Sequence, residues 1–224
     1  MDLSQTNKAR PQIPLGSAEI RPMHRFWDER YQQEGVYGKE PNPFWVRELG
    51  RAAPSPAGSR LLLPCEGEGR NAVWAARNGW TVDAFDGSSV AMKTCQRWAA
   101  EAGVEVRTHH ADAFEFEGDA DGYDVVGLFY AHMPPHLRLP FHERAINWLR
   151  PGGRIILEGF EPRQLGLPSG GPKDEAMLFT PAMLAADFAD LEILKNETAS
   201  VVLDEGPYHQ GPAHIIQFIA EKPA

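Results

Sequence analysis

Between Arg60 and Phe160 the chain alternates short apolar runs with segments of helical spacing, and few architectures accept that pattern. Arg60–Cys65, Trp80–Asp86, Val104–His109, Tyr123–Tyr130 and Arg154–Phe160 read as strands. The first and fourth are almost wholly apolar, as strands covered on both faces are. Arg70–Asn78, a stretch capped by Ser88 or Ser89 that runs to about Ala102, and Pro135–Leu149 read as helices. Gly79, Gly103 and the PGG at 151–153 stop them. Strand–helix–strand alternation makes the strands parallel, with crossovers of one hand and a switch point beside the first strand.

Beyond Phe160 the pattern changes. FEPRQLGLPSGGPKDEAM (160–177) is a long Gly/Pro-rich loop, of a length that is either functional or unstructured. Thr180 is placed to cap a helix with Pro181 at its first position. Leu191–Leu203 and Ala213–Ala220 read as strands joined by the turn DEGPYHQGP, which makes them antiparallel. The expected fold is α/β: a Rossmann-like, seven-stranded, mostly parallel sheet with helices on both faces and an antiparallel C-terminal hairpin. Ahead of it, residues 1–22, with Pro11, Pro14 and Pro22, read as a loose arm. Phe26–Glu34 and Phe44 to about Arg51 read as helices, and APSPAGS (53–59) as a breaker. The division expected is an arm and helical cap over 1–55 and a main domain over 56–224, in one compact unit.

Composition narrows the partners. With 22 Lys and Arg against 31 Asp and Glu, the formal charge is −9. An acidic surface without a basic run disfavours nucleic acid and anionic membranes. No apolar stretch reaches the roughly 18–20 residues that span a bilayer, and the N-terminus lacks the apolar core of a signal peptide, so the chain is expected to be cytoplasmic. Neither cysteine, Cys65 nor Cys95, belongs to a CxxC. No zinc site is expected, and both read as small buried apolar residues.

The chemistry gathers at the strand ends. The first strand runs into EGEGRNA (66–72), where Gly67 and Gly69 permit a tight turn before a helix N-terminus. Asp86 ends the second strand 19 residues after Gly67, a spacing suited to binding ribose hydroxyls. Asp112 follows the third strand, where a carboxylate can accept the adenine amino group while the Ala113 N–H meets a ring nitrogen. The nicotinamide alternative shares the G-x-G-x-x-A pattern. The second acid, the terminal hairpin and the lack of a second domain oppose it.

The glycine turn, Asp86, Asp112, YDVVGLFYAHMPP and LRPGGRIILEGF together resemble a class I S-adenosylmethionine-dependent methyltransferase over about residues 26–222. FWDERY, YGKEPNPFW, GEGRNAVWAA, SGGPKDEAMLFT and LDEGPYHQGPAHIIQFIAEKP are similar to the tellurite-resistance and thiopurine methyltransferase-like group. The usual acid and first glycine of the family are replaced by Leu63 and Cys65, so Glu66 is the expected carboxylate for the methionine ammonium. The resemblance implies S-adenosyl-L-methionine as cofactor and in-line methyl transfer to a small molecule such as a thiol or a selenite- or tellurite-type oxyanion. A non-catalytic binder of the same cofactor is the alternative from another class. His132, Tyr130 and His209 are the expected catalytic residues; Glu66, Gly67, Gly69, Asp86, Asp112 and Ala113 are expected to hold the cofactor. Tyr31, Tyr37, Trp45 and Met133 are expected to shape the acceptor pocket, with Arg25, Arg30 or Arg138 steering an oxyanion. A monomer or homodimer is expected.

Overall fold

The computed structural model describes residues 17–51, 58–119 and 122–224. Its elements in chain order are α1 (Ser17–Arg30), α2 (Pro43–Arg51), β1 (Arg60–Pro64), α3 (Arg70–Arg77), β2 (Thr81–Asp86), α4 (Ser89–Glu101) and β3 (Arg107–His110). They continue with β4 (Tyr123–Phe129), α5 (Pro135–Trp148), β5 (Leu149–Phe160), α6 (Pro181–Asp187), β6 (Glu192–Asp204) and β7 (Gln210–Glu221). The seven strands form one sheet in the order β3-β2-β1-β4-β5-β7-β6. β1 to β5 are parallel, and β7 runs antiparallel to both β5 and β6. Two reversals make β6 parallel to the first five. The turn after it therefore lies at the same sheet edge as the C-terminal ends of β1, β2, β4 and β5.

β1 shows how sequence becomes layers. Leu61, Leu62 and Leu63 are fully buried, and successive strand side chains point to opposite faces. Leu62 joins the core beneath α5 and α6, with Phe85, Phe141 and Trp148. Leu61 and Leu63 join the core beneath α2, α3 and α4, with Trp45, Ala75 and Cys95. Ser88 and Thr180 begin α4 and α6 by accepting the N–H groups of Ala91 and Met183.

Several boundaries differ from expectation. α1 starts at Ser17 and runs through Pro22, so this part of the supposed arm is helix; proline reads as a breaker in sequence because it has no N–H to donate to the preceding turn. Residues 1–16 and most of the breaker lie outside the described residues. α1 also ends at Arg30 rather than Glu34, because residues 31–37 turn over the sheet edge. PGG does not separate helix from strand. β5 begins at Leu149, and 150–153 form a bulge opposite Tyr123–Val125.

The turn after β6 docks on the cap backbone to backbone. Gly206 has φ 85°, and a Cβ there would stand 2.4 Å from the Gly38 nitrogen. The Tyr208 N–H donates to the Val36 carbonyl at 3.2 Å. Gly79, at φ 89°, has open space around its Cβ position. Gly79→Ala is expected to cost the left-handed penalty alone, about 1–2 kcal/mol. Gly206→Ala should exceed it by about 1–3 kcal/mol, because a backbone neighbour cannot yield as a side chain can. Urea denaturation of the two variants measures the difference; equal costs would contradict the docking.

Candidate functional site

β1 ends in a strained bend. Cys65 has φ 55°, Gly67 φ 66° and Gly69 φ 93°. The bend is tied to the next strand: the Gly67 N–H donates to Asp86 Oδ2 at 2.9 Å, and Asp86 Oδ1 accepts the Ser88 N–H at 2.8 Å. Glu66 folds over the N-terminus of α3, where its Oε1 accepts the N–H groups of Asn71 and Ala72 at 2.9 and 2.8 Å. Burial outweighs those bonds and pushes the Glu66 carboxyl up to about 7. Burial likewise raises Asp86. Asp112 Oδ1 accepts the N–H groups of Phe114 and Glu115 at 2.6 and 2.9 Å. The Ala113 N–H between them has no acceptor among the described residues.

Glu66, Asp86, Asp112 and Ala113 line one cavity of about 770 Å³, within the range of roughly 300–1,000 Å³ typical of small-molecule sites. The two glycines do not line it. Gly67 lies under the Tyr31 hydroxyl, which a Cβ would meet at 2.4 Å, and Gly69 lies against Cys95 Sγ at 2.3 Å from that position. They permit the close packing of Tyr31 and of Cys95 in α4. Cys95 is buried as expected; Cys65 lines the cavity instead.

The cap roofs this half. Asp28 of α1 accepts hydrogen bonds from Ser88 Oγ at 2.7 Å and the Val90 N–H at 3.2 Å, so it joins Ser88 in capping α4. Tyr31 and Val36 are buried against Ala91, with Trp27, Tyr37 and Val90 around them. His24 sits over Gly87, where a Cβ would meet its ring at 2.5 Å.

The other half opens beyond the ends of β4 and β5. Tyr130, Met133, Phe160, Tyr37, Tyr208 and His209 line it, and the long loop supplies Pro168, Gly170–Asp174 and Met177. Tyr130 holds a left-handed φ of 53°, an uncommon conformation for a bulky residue. Its hydroxyl donates to Glu158 Oε1 at 3.2 Å. Arg30 lies over the Tyr208 ring at 3.9 Å and donates to the Tyr37 hydroxyl at 3.1 Å.

Three expectations need correction here. His132 lines the cavity, yet both of its nitrogens are committed. Nε2 accepts the Phe160 N–H at 3.0 Å, which leaves Nδ1–H to donate to the Met177 carbonyl at 2.8 Å. Burial drives it down to about 4. It fastens the long loop to β5 and is no free base. Trp45 is fully buried on the Phe129 ring, with its Nε1–H directed at the Asn71 carbonyl at 3.3 Å, and is not among the cavity's lining residues. Arg138 is paired with Asp187, and Arg25 with Glu29. Of the three arginines only Arg30 reaches the cavity.

A buried polar network beneath the second half escaped the sequence. Arg70 and Glu205, each 8% exposed, pair at 3.0 Å. Arg70 also donates to the Tyr37 carbonyl at 3.0 Å. The Asn42 side-chain amide donates to Glu158 at 2.6 Å and Glu205 at 3.2 Å, while its Oδ1 accepts the N–H groups of Phe44 and Trp45. Burial opposes ionisation of Glu205, but His209 and Arg70 overcome it and hold its carboxyl at about 2. The available signal was a glutamate inside the apolar run RIILEGF.

A general family model of the methyltransferase domain matches residues 63–153, from the last leucine of β1 to the β5 bulge. These residues form a methyltransferase domain, which implies S-adenosylmethionine as the cofactor. Thiopurine S-methyltransferase of Vibrio cholerae is 24% identical over 164 residues, covering 66% of this chain and 74% of that protein. An S-adenosylmethionine-dependent methyltransferase from Methanosarcina mazei shares the fold with a TM-score of 0.66 at 15% identity, covering 82% of this chain and 99% of its own. A structure concerned with conversion of a disulfide bond into a thioacetal group during echinomycin biosynthesis gives 0.70 at 18%, over 90% and 92%. TehB of Haemophilus influenzae gives 0.64 at 13%, over 89% and 66%.

The methyltransferase's cavity fits its cofactor. Buried carboxylates at the ends of β2 and β3, a free N–H beside the second and a third carboxylate at the α3 N-terminus suit a nucleoside carrying a cationic amino acid. For His132 the sign of the pH effect is definite. The folded state leaves the ring unprotonated down to about pH 4, while the unfolded chain protonates it below about 6.5. Stability therefore falls as pH drops from about 6.5 to 4, by up to about 1.4 kcal/mol per pH unit from this residue. His132→Gln should remove that part of the slope in pH-dependent denaturation; parallel curves for the two proteins would contradict it.

Proposed function

We propose that the methyltransferase acts on a small molecule, a thiol, a selenite- or tellurite-type oxyanion or a related metabolite, by in-line transfer. In this reading Asp86 takes the ribose hydroxyls, Asp112 and the Ala113 N–H take the adenine edge, and Glu66 takes the methionine ammonium. The cofactor supplies a methyl group already activated on a sulfonium. What remains for the chain is to align the acceptor and exclude water.

One observation carries the reading: the carboxylate-lined half and the aromatic half belong to the same cavity of about 770 Å³. Cofactor and acceptor must share that volume, which restricts the acceptor to a small molecule. Tyr37 of the cap and Met133 after β4 then bound the acceptor, while Tyr31, expected there, covers the cofactor side over Gly67, and the cap acts as a cover. The similarity to thiopurine S-methyltransferase agrees with a sulfur acceptor.

Calorimetry with S-adenosylhomocysteine and with NAD tests it. The wild type should bind the first and ignore the second. Asp86→Ala should weaken binding by about 10- to 100-fold, the value of hydrogen bonds to a charged group. Tight NAD binding without response to S-adenosylhomocysteine would overturn the cofactor assignment. Offering simple thiols, selenite and tellurite and analysing for methylated products tests the acceptor; silence on all three would remove that class.

A further inference from the structure

The acceptor half contains two histidines, and they differ in one respect. His132 has both ring nitrogens engaged. His209 has one engaged: its Nδ1 lies 3.3 Å from Glu205 Oε2, and its Nε2 has no hydrogen-bond partner among the described residues. Glu205 is an ionised carboxylate, held by Arg70 and Asn42, and so can only accept. Nδ1 must therefore carry the proton, and Nε2 keeps its lone pair. Aromatic rings fix the imidazole: Tyr130 at 4.4 Å and Tyr37 at 4.6 Å, both edge-on, and Phe160 at 5.3 Å. Gly170 of the long loop closes on the free side, its Cβ position 3.3 Å from Nε2. An oriented base backed by a carboxylate is the arrangement that proton abstraction requires.

We propose that His209 Nε2 takes the proton from the methyl acceptor, that Glu205 is its positioning residue, and that the acceptor is a neutral, weakly acidic thiol rather than a preformed oxyanion. The proposal rests on the methyltransferase reading above. The proton of S–H passes to Nε2, the bonding pair stays on the thiol sulfur, and that pair forms the bond to the methyl carbon. The carbon–sulfur bond of the sulfonium breaks with its pair returning to the cofactor sulfur. The imidazolium, stabilised by Glu205, releases its proton to water after the product leaves. The charged and titratable groups around His209 are Glu205 on its own turn, Arg70 of α3, Arg30 of α1, Tyr37 of the cap, Tyr130 after β4 and His132. Burial lowers His209 against the pull of Glu205, so the ring is neutral at pH 7 and able to accept.

Two measurements test this. Nitrogen NMR of the histidine rings in the cofactor-free full chain should find His209 with a bare Nε2 and a protonated Nδ1 at pH 7. Glu205→Gln should disturb that tautomer and Glu205→Asp should retain it. A protonated Nε2 in the wild type, or a tautomer indifferent to Glu205→Gln, would overturn the proposal. Kinetically, His209→Gln should lower kcat about 100-fold or more for an alkanethiol, which is protonated at neutral pH, the lower end of general-base effects. An aromatic thiol acidic enough to arrive as thiolate should lose less than 10-fold, and KM should change little in both cases. Equal losses for both thiols, or no methylation of either while S-adenosylhomocysteine still binds, would overturn the proton step and leave the cofactor reading standing. Failure to bind S-adenosylhomocysteine would sink the reading beneath it.

Discussion

The buried pair of Arg70 and Glu205 is the interaction on which the arrangement of the site depends. It joins the first turn of α3 to the turn after β6, and through Asn42 it reaches both the start of α2 and Glu158 inside β5. Removing two charges from water costs several kcal/mol per ion, which their attraction offsets only when the remaining polar atoms are also hydrogen-bonded. Here Glu205 accepts from Arg70, Asn42 and His209, and Arg70 also binds the Tyr37 carbonyl. No member can leave without stranding another, so the network ties cap, sheet and terminal hairpin together.

With those pieces fixed, the cavity becomes a consequence of topology. The parallel strands deliver Glu66, Asp86 and Asp112 to one sheet edge, and the double reversal at β7 and β6 brings Tyr208 and His209 to the same edge. α1 closes the carboxylate-lined side through Asp28 and Ser88. The long loop closes the aromatic side through His132 and the Met177 carbonyl. His132 thus serves by holding a wall in place. A buried ring with both nitrogens engaged gains nothing from taking a proton, and burial keeps it neutral.

Much of the fold was legible because it depends on local chemistry. The leucines of β1, the glycine stops and the caps at Ser88 and Thr180 act within a few residues of themselves. Asp86 was legible from its distance to the glycine turn. What the sequence hid depends on partners far away in the chain. Trp45 reads as a wall of the acceptor pocket until Phe129 and Asn71 bury it. His132 reads as a base until the Phe160 N–H and the Met177 carbonyl occupy its ring. Gly67 and Gly69 read as ligand contacts, yet Tyr31 and Cys95 fill the space they leave. Pro22 reads as part of a loose arm, yet it lies within α1.

The central claim is that one cavity holds the nucleoside at its carboxylates and presents the sulfonium methyl group to the aromatic chamber. A crystal structure of the complex with S-adenosylhomocysteine tests it most directly. The account predicts adenosine between Asp86 and Asp112, with the sulfur directed toward the space bounded by Tyr130 and His209. A nucleoside bound elsewhere, or a sulfur turned away from that chamber, would contradict it.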